Sequence, residues 1–290
     1  MSKILKIILI LAVVSAGWFF KDYLLDFYSK FSLKLPGIEE NINNLVSEQL
    51  EKKISLPSPM RAKEESLQSF LTLKGVIEKT NAQRADFGLP ALKENINLDA
   101  SAKAKVEDMF NGQYFEHISP FGVGVSDLAE NSGYEYIMIG ENLALGNFKD
   151  DAALVQAWMD SPGHRANILN ERYADMGVSV IKGTFEGETT WLAVQHFGLP
   201  LSACDGPQET LKAKIELNQA EIQELKNSLM ALKEEIEGMN PRRQREEYNA
   251  RVEEYNNLVS RYNNLLAETK GLTETYNVQV AAFNECVSSQ

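Results

Sequence analysis

The sequence predicts an α+β globular domain with an apolar N-terminal segment before it and a long helical hairpin after it. Three observations predict this. Helical patterns near Leu67–Phe87, Leu98–Asn111 and Asp151–Asp160 give way to two adjacent runs of strand composition, 176–181 and 190–197. That order marks an α+β layered domain rather than an alternating one. The run from Ile4 to Phe20 is apolar apart from Lys6 and Ser15. Beyond Pro207 apolar residues recur at alternating spacings of four and three, the signature of a coiled coil.

Composition bounds the reading. A chain of 290 residues, 44% hydrophobic, can bury one full core and carry extended parts as well. Charged residues at 24% are ordinary for a folded protein and exclude wholesale disorder. A net charge of −12, with no basic stripe interleaved with aromatics, excludes nucleic acid as a partner. Cys204 and Cys286 are too few for a disulfide scaffold or a cysteine-only zinc site.

Residues 1–22 read as a signal anchor or a signal peptide. Lys3 and Lys6 precede the apolar bulk, and Asp22 and Asp26 follow it. At about 1.5 Å per residue the run spans roughly 25 Å, slightly less than a hydrocarbon core. Lys6 can snorkel to the interface and Trp18 can sit at headgroup level. The rival is a signal peptide cleaved after Val14-Ser15-Ala16. An uncleaved anchor is favoured because apolar bulk continues through Phe20. Both readings place the remaining chain outside the cytoplasm, membrane-anchored or, if cleaved, secreted.

Residues 23–62 read as stalk and linker. Ile38, Ile42, Leu45 and Val46 give a short amphipathic helix, and Ser55-Leu56-Pro57-Ser58-Pro59 breaks the chain before a domain at 63–200. Residues 205–290 form the predicted hairpin. Leu211, Ile215, Asn218, Ile222, Leu225, Leu229, Leu232 and Ile236 make one seam. Gly238 and Asn240-Pro241 end that helix and start the next, with Asn240 as N-cap. Tyr248, Tyr255, Tyr262, Thr269, Tyr276 and Phe283 then fall seven apart. Cys204 and Cys286 lie at the open end, where a bridge would tie it to the globular part. The unequal helix lengths oppose that bridge unless 201–206 runs alongside the second helix, so free or intermolecular thiols stay an equal alternative.

Chemistry-bearing residues cluster in the globular part. Ser161-Pro162 is a helix start, with Ser161 as N-cap and Pro162 at the first helical position. His164 then sits in the first turn, where the helix dipole disfavours imidazolium and favours the neutral ring that metal ligation or hydrogen-bond acceptance needs. Glu141 follows a glycine and reads as a loop carboxylate. His117 sits on a turn closed by Ser119-Pro120. Asp160 adjoins Ser161. His196, on the last strand, is assigned to packing, and Trp158 to the core. Taken singly, each also suits a buried hydrogen-bond network.

Together these segments resemble the bacterial branch of the CAP superfamily, the SCP-like extracellular proteins. The matches are the Asn81/Arg84 helix ending in Gly88-Leu89-Pro90-Ala91-Leu92, then Phe115-Glu116-His117, then Gly140-Glu141-Asn142, then Trp158 to Leu169. The resemblance implies an α-β-α sandwich with an open cleft lined by His117, Glu141 and His164. The family's animal members place a second glutamate where Ser161 stands here. Asp160 is the neighbouring carboxylate that could replace it.

Three functions are expected to compete. The first is a noncatalytic extracytoplasmic binding module, with a cleft for a lipid, another hydrophobic compound or a cell-envelope ligand. In this reading a divalent metal such as zinc is held by His117 and His164, and the coiled coil meets a protein partner. The second is a metal-dependent hydrolase or peptidase, or a Ser161–His164–Glu141 triad. That triad is discounted because an N-cap hydroxyl is committed to backbone amides. The third is an adhesin or spacer whose functional part is the coiled coil.

Overall fold

The computed structural model describes residues 45–290. The expected N-terminal anchor and most of the expected stalk helix fall outside that range, and among the described residues no helix is long and apolar enough to cross a membrane. The chain divides into two compact units, one of residues 48–206 with 282–290 and one built mainly of 207–281.

In the first unit two short strands, β1 (Lys53–Ser55) and β2 (Met60–Arg61), precede helix α1 (Leu73–Asp86). Strand β3 (Lys93–Glu94), helices α2 (Ile96–Gly112) and α3 (Val125–Asn131), and strand β4 (Tyr136–Leu145) follow. Then come α4 (Asp151–Asp160), α5 (Pro162–Ile168) and the strands β5 (Asp175–Phe185) and β6 (Glu188–Pro200). The sheet runs β1-β4-β6-β5-β3, with β2 also on β4. β4, β6 and β5 are antiparallel, whereas β1 and β2 lie parallel to β4, and β3 parallel to β5. The sheet is therefore mixed, not purely antiparallel.

Side-chain alternation along the strands builds two apolar layers. On one face Val76 and Ile77 of α1, with Leu154, Trp158 and Met159 of α4, pack on Met138, Val178, Ala193 and Phe197. On the other, Ala102, Val106 and Met109 of α2 pack on Leu143, Leu145, Leu192 and Val194. Helices thus cover both sheet faces.

Several expectations are corrected. The helix expected from Leu67 begins only at Leu73, where the Thr72 side chain accepts from Gly75 N. The strands extend well beyond the runs 176–181 and 190–197, and the β5–β6 connection is the tight turn Glu186-Gly187. Both residues have positive φ, as a two-residue hairpin turn requires. Gly140-Glu141-Asn142 is the middle of a wholly buried strand, not a loop. Residues 53–61, expected as linker, supply two strands.

The motif around α1 is a staple. The Asn81 amide donates to Leu92 O (3.0 Å), and its carbonyl accepts from Leu92 N (2.8 Å). The fully buried Arg84 donates to the carbonyls of Pro90, Ile168 and Asn170 at 2.7–2.9 Å. Asn81→Ala leaves both polar groups of Leu92 unmatched. A loss of about 1–2 kcal/mol in urea unfolding is expected.

In the second unit α6 (Glu209–Gly238) and α7 (Arg245–Ser289, whose last residues belong to the first unit) pack antiparallel. Ile222, Leu225, Leu229, Leu232 and Ile236 meet Tyr255 and Tyr262, and Ile215 meets Tyr276 and Val280. Arg251–Glu235, Arg261–Glu221 and Lys214–Glu268 flank the seam as exposed ion pairs. Asn240 accepts from the amides of Arg242 and Arg243, but it caps a turn, and regular helix starts four residues beyond Pro241 at Arg245.

Candidate functional site

The site forms where β4 is flanked by β6, α2 and the segment between β1 and β2. Glu141 of β4 is registered opposite His196 of β6, and both point to the α2 face. The Glu141 carboxylate is fully buried and accepts from two rings. His117 Nδ1 lies 2.6 Å from Oε1, and His196 Nε2 lies 2.9 Å from Oε2. Behind His196, Ser101 Oγ of α2 is 3.0 Å from Nδ1. The other His117 nitrogen, Nε2, donates to the Pro57 carbonyl. Both nitrogens of His117 are thus engaged, one by the Glu141 carboxylate and one by the Pro57 carbonyl.

Burial by itself would raise the Glu141 pKa. The hydrogen bonds from His117 and His196, and the charge of Lys105, overcome it and hold the group down at about 2. Lys105 of α2 is buried and donates to His117 O at 2.7 Å and to Tyr114 OH at 3.3 Å, which fixes the turn presenting His117. Burial pulls the lysine pKa down, against the pull of Glu141, Asp108 and Glu116.

His164 approaches from the other side. Its Nδ1 is 2.8 Å from Ser161 Oγ, and its backbone carbonyl accepts from Asn142 Nδ2 at 3.2 Å. Nε2 is buried and makes no hydrogen bond. Burial, then the charge on His117, lowers the pKa to about 4, so the ring is neutral at pH 7. The neutral state expected from the helix start thus arises here chiefly from desolvation. Ser161 has no capping bond. Its hydroxyl is turned to His164, which removes the stated reason for discounting it as a reactive group.

The structure brings His117 onto Glu141, places His164 with Ser161, and sets Asp160 on the groove wall beside Ser161 without a bond to the histidines. Asp160 is exposed and accepts from Gln156 Nε2 at 2.8 Å on its own helix. His196, assigned to packing, is a direct partner of Glu141 and corrects that assignment. Its signal was the strand alternation around it, which β4 register converts into contact. Lys105 gave no sequence signal, because a lysine on an amphipathic helix ordinarily faces water.

The donor set does not fit a metal as arranged. Both nitrogens of His117 are committed, those of His196 likewise, and His164 Nε2 alone is uncommitted. Among the described residues no group of three histidine, cysteine or acidic side chains is arranged to hold one. Of the expected metal pair, His117 is engaged by Glu141 and the Pro57 carbonyl, and His164 by Ser161 through Nδ1.

An open groove of about 740 Å³ adjoins the site. Met60, Phe148, Ala153 and Ala157 give it apolar wall, Arg61, Lys149 and Asp160 line it with charge, and Ser161 and His164 lie at one end.

Helices on both faces of a mixed sheet, with His117 held on the strand glutamate Glu141, agree with the family that the motifs resemble. Residues 77–197 match the cysteine-rich secretory protein family, and this part of the chain is a CAP domain. The chain is 41% identical over 109 residues to the uncharacterized protein YkwD of Bacillus subtilis, covering 38% of this chain and 42% of that one. It is 34% identical over 107 residues to the uncharacterized membrane protein YlbC of the same organism, covering 37% and 31%. A solved extracellular protein with an SCP domain from Bacillus anthracis is 28% identical, with a TM-score of 0.38, covering 43% of this chain and 39% of that one. The chain therefore spans less than half the length of these relatives.

Proposed function

We propose that this protein is an extracytoplasmic binding module, tethered through its N-terminal apolar run, whose CAP domain holds a lipid-like or cell-envelope ligand in the groove beside His164. The observation that carries this is the saturation of Glu141. Its carboxylate is bound by two histidines, one of them spent on a backbone carbonyl, so Glu141 is not left to orient His164 or to activate water. The amphipathic lining of the groove suits a ligand with both apolar and charged parts. The Cys204–Cys286 disulfide supports an oxidising compartment, and the membrane-protein name of one relative agrees with a tether. The hairpin, with its exposed charged flanks, is free to serve as an arm for a protein partner.

Native mass spectrometry of the full-length chain released from detergent micelles is the test. A mass adduct lost on denaturation, and absent when Ala157→Trp fills the groove, is expected. The Ser161–His164 hydrogen bond favours one second reading, a serine hydrolase lacking a third member. Covalent labelling of Ser161 by a fluorophosphonate, abolished by His164→Ala, would replace the binding reading with that one.

A further inference from the structure

The segment 53–61 lies on the outer edge of β4, the strand that carries Glu141. Its register is Ser55 on Gly140 and Met60 on Ala144. Leu56-Pro57-Ser58-Pro59 thus spans a stretch that β4 covers with Glu141, Asn142 and Leu143, so this strap bulges outward by one residue. The bulge follows from the sequence. Proline has no amide to donate to a ladder, and each residue before a proline is held extended. At the bulge Pro57 is gripped from two sides. Its carbonyl accepts from His117 Nε2, and its ring packs on Gly163 of α5, where an added Cβ would lie 2.7 Å from Pro57 Cβ.

The strap is more exposed than the strand it covers, although Asn167 Nδ2 donates to Ser55 O and Arg61 lies over Phe115 and Phe185. None of residues 53–61 is buried, and Ile54 and Leu56 are 52% and 38% exposed. The groove beneath is built differently. β4 is buried throughout, Glu141 fixes His117, and Gly163 keeps the proline seat open. With the strap lifted, β4 would present the backbone groups that residues 53–55 and 60–61 now pair, beside one fixed donor and a shallow proline seat, the features strand addition uses to recognise extended peptides.

We propose that the β4 edge is a peptide-binding site, held in cis by residues 53–61. It takes in trans an extended polypeptide with an apolar residue before a proline, whose carbonyl replaces that of Pro57 on His117. This rests on the reading of the domain as a binding module and adds a ligand class at its His117 side. The strap competes as an intramolecular ligand, at an effective concentration on the order of millimolar. Strap release and peptide capture are then one exchange reaction.

The test uses the full-length chain in detergent and a fluorescent synthetic peptide with the sequence of residues 52–61. Two variants loosen the strap and leave β4, His117 and Gly163 unchanged: Pro57→Gly removes the ring seated on Gly163, and Met60→Asp, which also alters the apolar wall of the adjoining groove, removes an anchor that packs on the core. Hydrogen exchange of strap amides reports loosening, and fluorescence anisotropy reports binding. Expected is weak binding by the wild type and at least about tenfold tighter binding by either loosened variant. Adding Gly163→Ala should cancel the gain, as should alanine in place of both prolines of the peptide. Three results would overturn the proposal. One is strap amides that stay protected in both variants, which would make the strap a permanent strand. Another is faster strap exchange without peptide binding. The third is zinc binding by the loosened variants with no peptide binding, which would make a metal the occupant. A nonpeptide ligand that co-purifies while the peptide fails to bind would leave the module reading standing and remove this one.

Discussion

Replacing Cys204 and Cys286 together by serine is expected to destabilise the globular unit by about 4–5 kcal/mol. The two cysteines are bonded and are separated by 82 residues in sequence. Closing a loop of that length in the unfolded chain removes entropy worth roughly 4–5 kcal/mol in the chain-entropy treatment. The folded side adds a geometric reason. Phe283 and Val287, on the last turns of α7, are buried with Leu199, Tyr173 and Cys204 in the larger core cluster. The bridge therefore holds a contact that helix ends otherwise lose by fraying. For a unit of this size the loss corresponds to a fall in Tm of roughly 10–15 °C. Calorimetry of the wild type and the double serine variant, both under nonreducing conditions, measures it. A fall of less than about 3 °C would show that packing alone fixes the end of α7.

How far the sequence carried this reading depended on where the information lay. The hairpin was legible almost residue by residue, because a heptad repeat is a local pattern with a single geometric solution. Ile215, Asn218, Ile222, Leu225, Leu229, Leu232 and Ile236 are the buried seam of α6. The start of α5 at Ser161-Pro162 was legible for the same reason. The strand β4 was not. All ten of its residues are buried, so it shows no alternation, and its glycine and asparagine read as turn formers. That error moved Glu141 from strand to loop and concealed His196, since strand register alone joins residues 55 positions apart. Residues 53–61 were hidden by composition. Two prolines in five residues signal a boundary, and only the sheet edge gives them another use. Cysteine pairing stayed open because helix lengths do not reveal that the end of α7 enters the core of the globular unit.

Acidification is expected to weaken the globular unit in two overlapping windows, the upper one set by His164. Desolvation first, and the His117 charge second, lower the His164 pKa from 6.5 to about 4. The folded chain then binds fewer protons at this site than the unfolded chain. Its contribution to stability is complete above 6.5 and is lost as pH falls towards 4. The loss at pH 4.5 is about 2–3 kcal/mol. Glu141, held at about 2 against an ordinary 4.5, follows the depressed-carboxylate rule. Its contribution is complete above 4.5 and is lost as pH falls to about 2, on the order of 3 kcal/mol in all. The two windows can be separated by substitution. In His164→Gln the upper window should close, so that urea midpoints at pH 7 and pH 4.5 differ by the equivalent of less than about 1 kcal/mol. The residual loss below pH 4 should remain, because Glu141 keeps both histidines. An undiminished loss between pH 7 and 4.5 in His164→Gln would assign the upper window to another group. It would also mean that His164 is protonated in the folded protein, leaving Ser161 hydrogen-bonded to a charged ring.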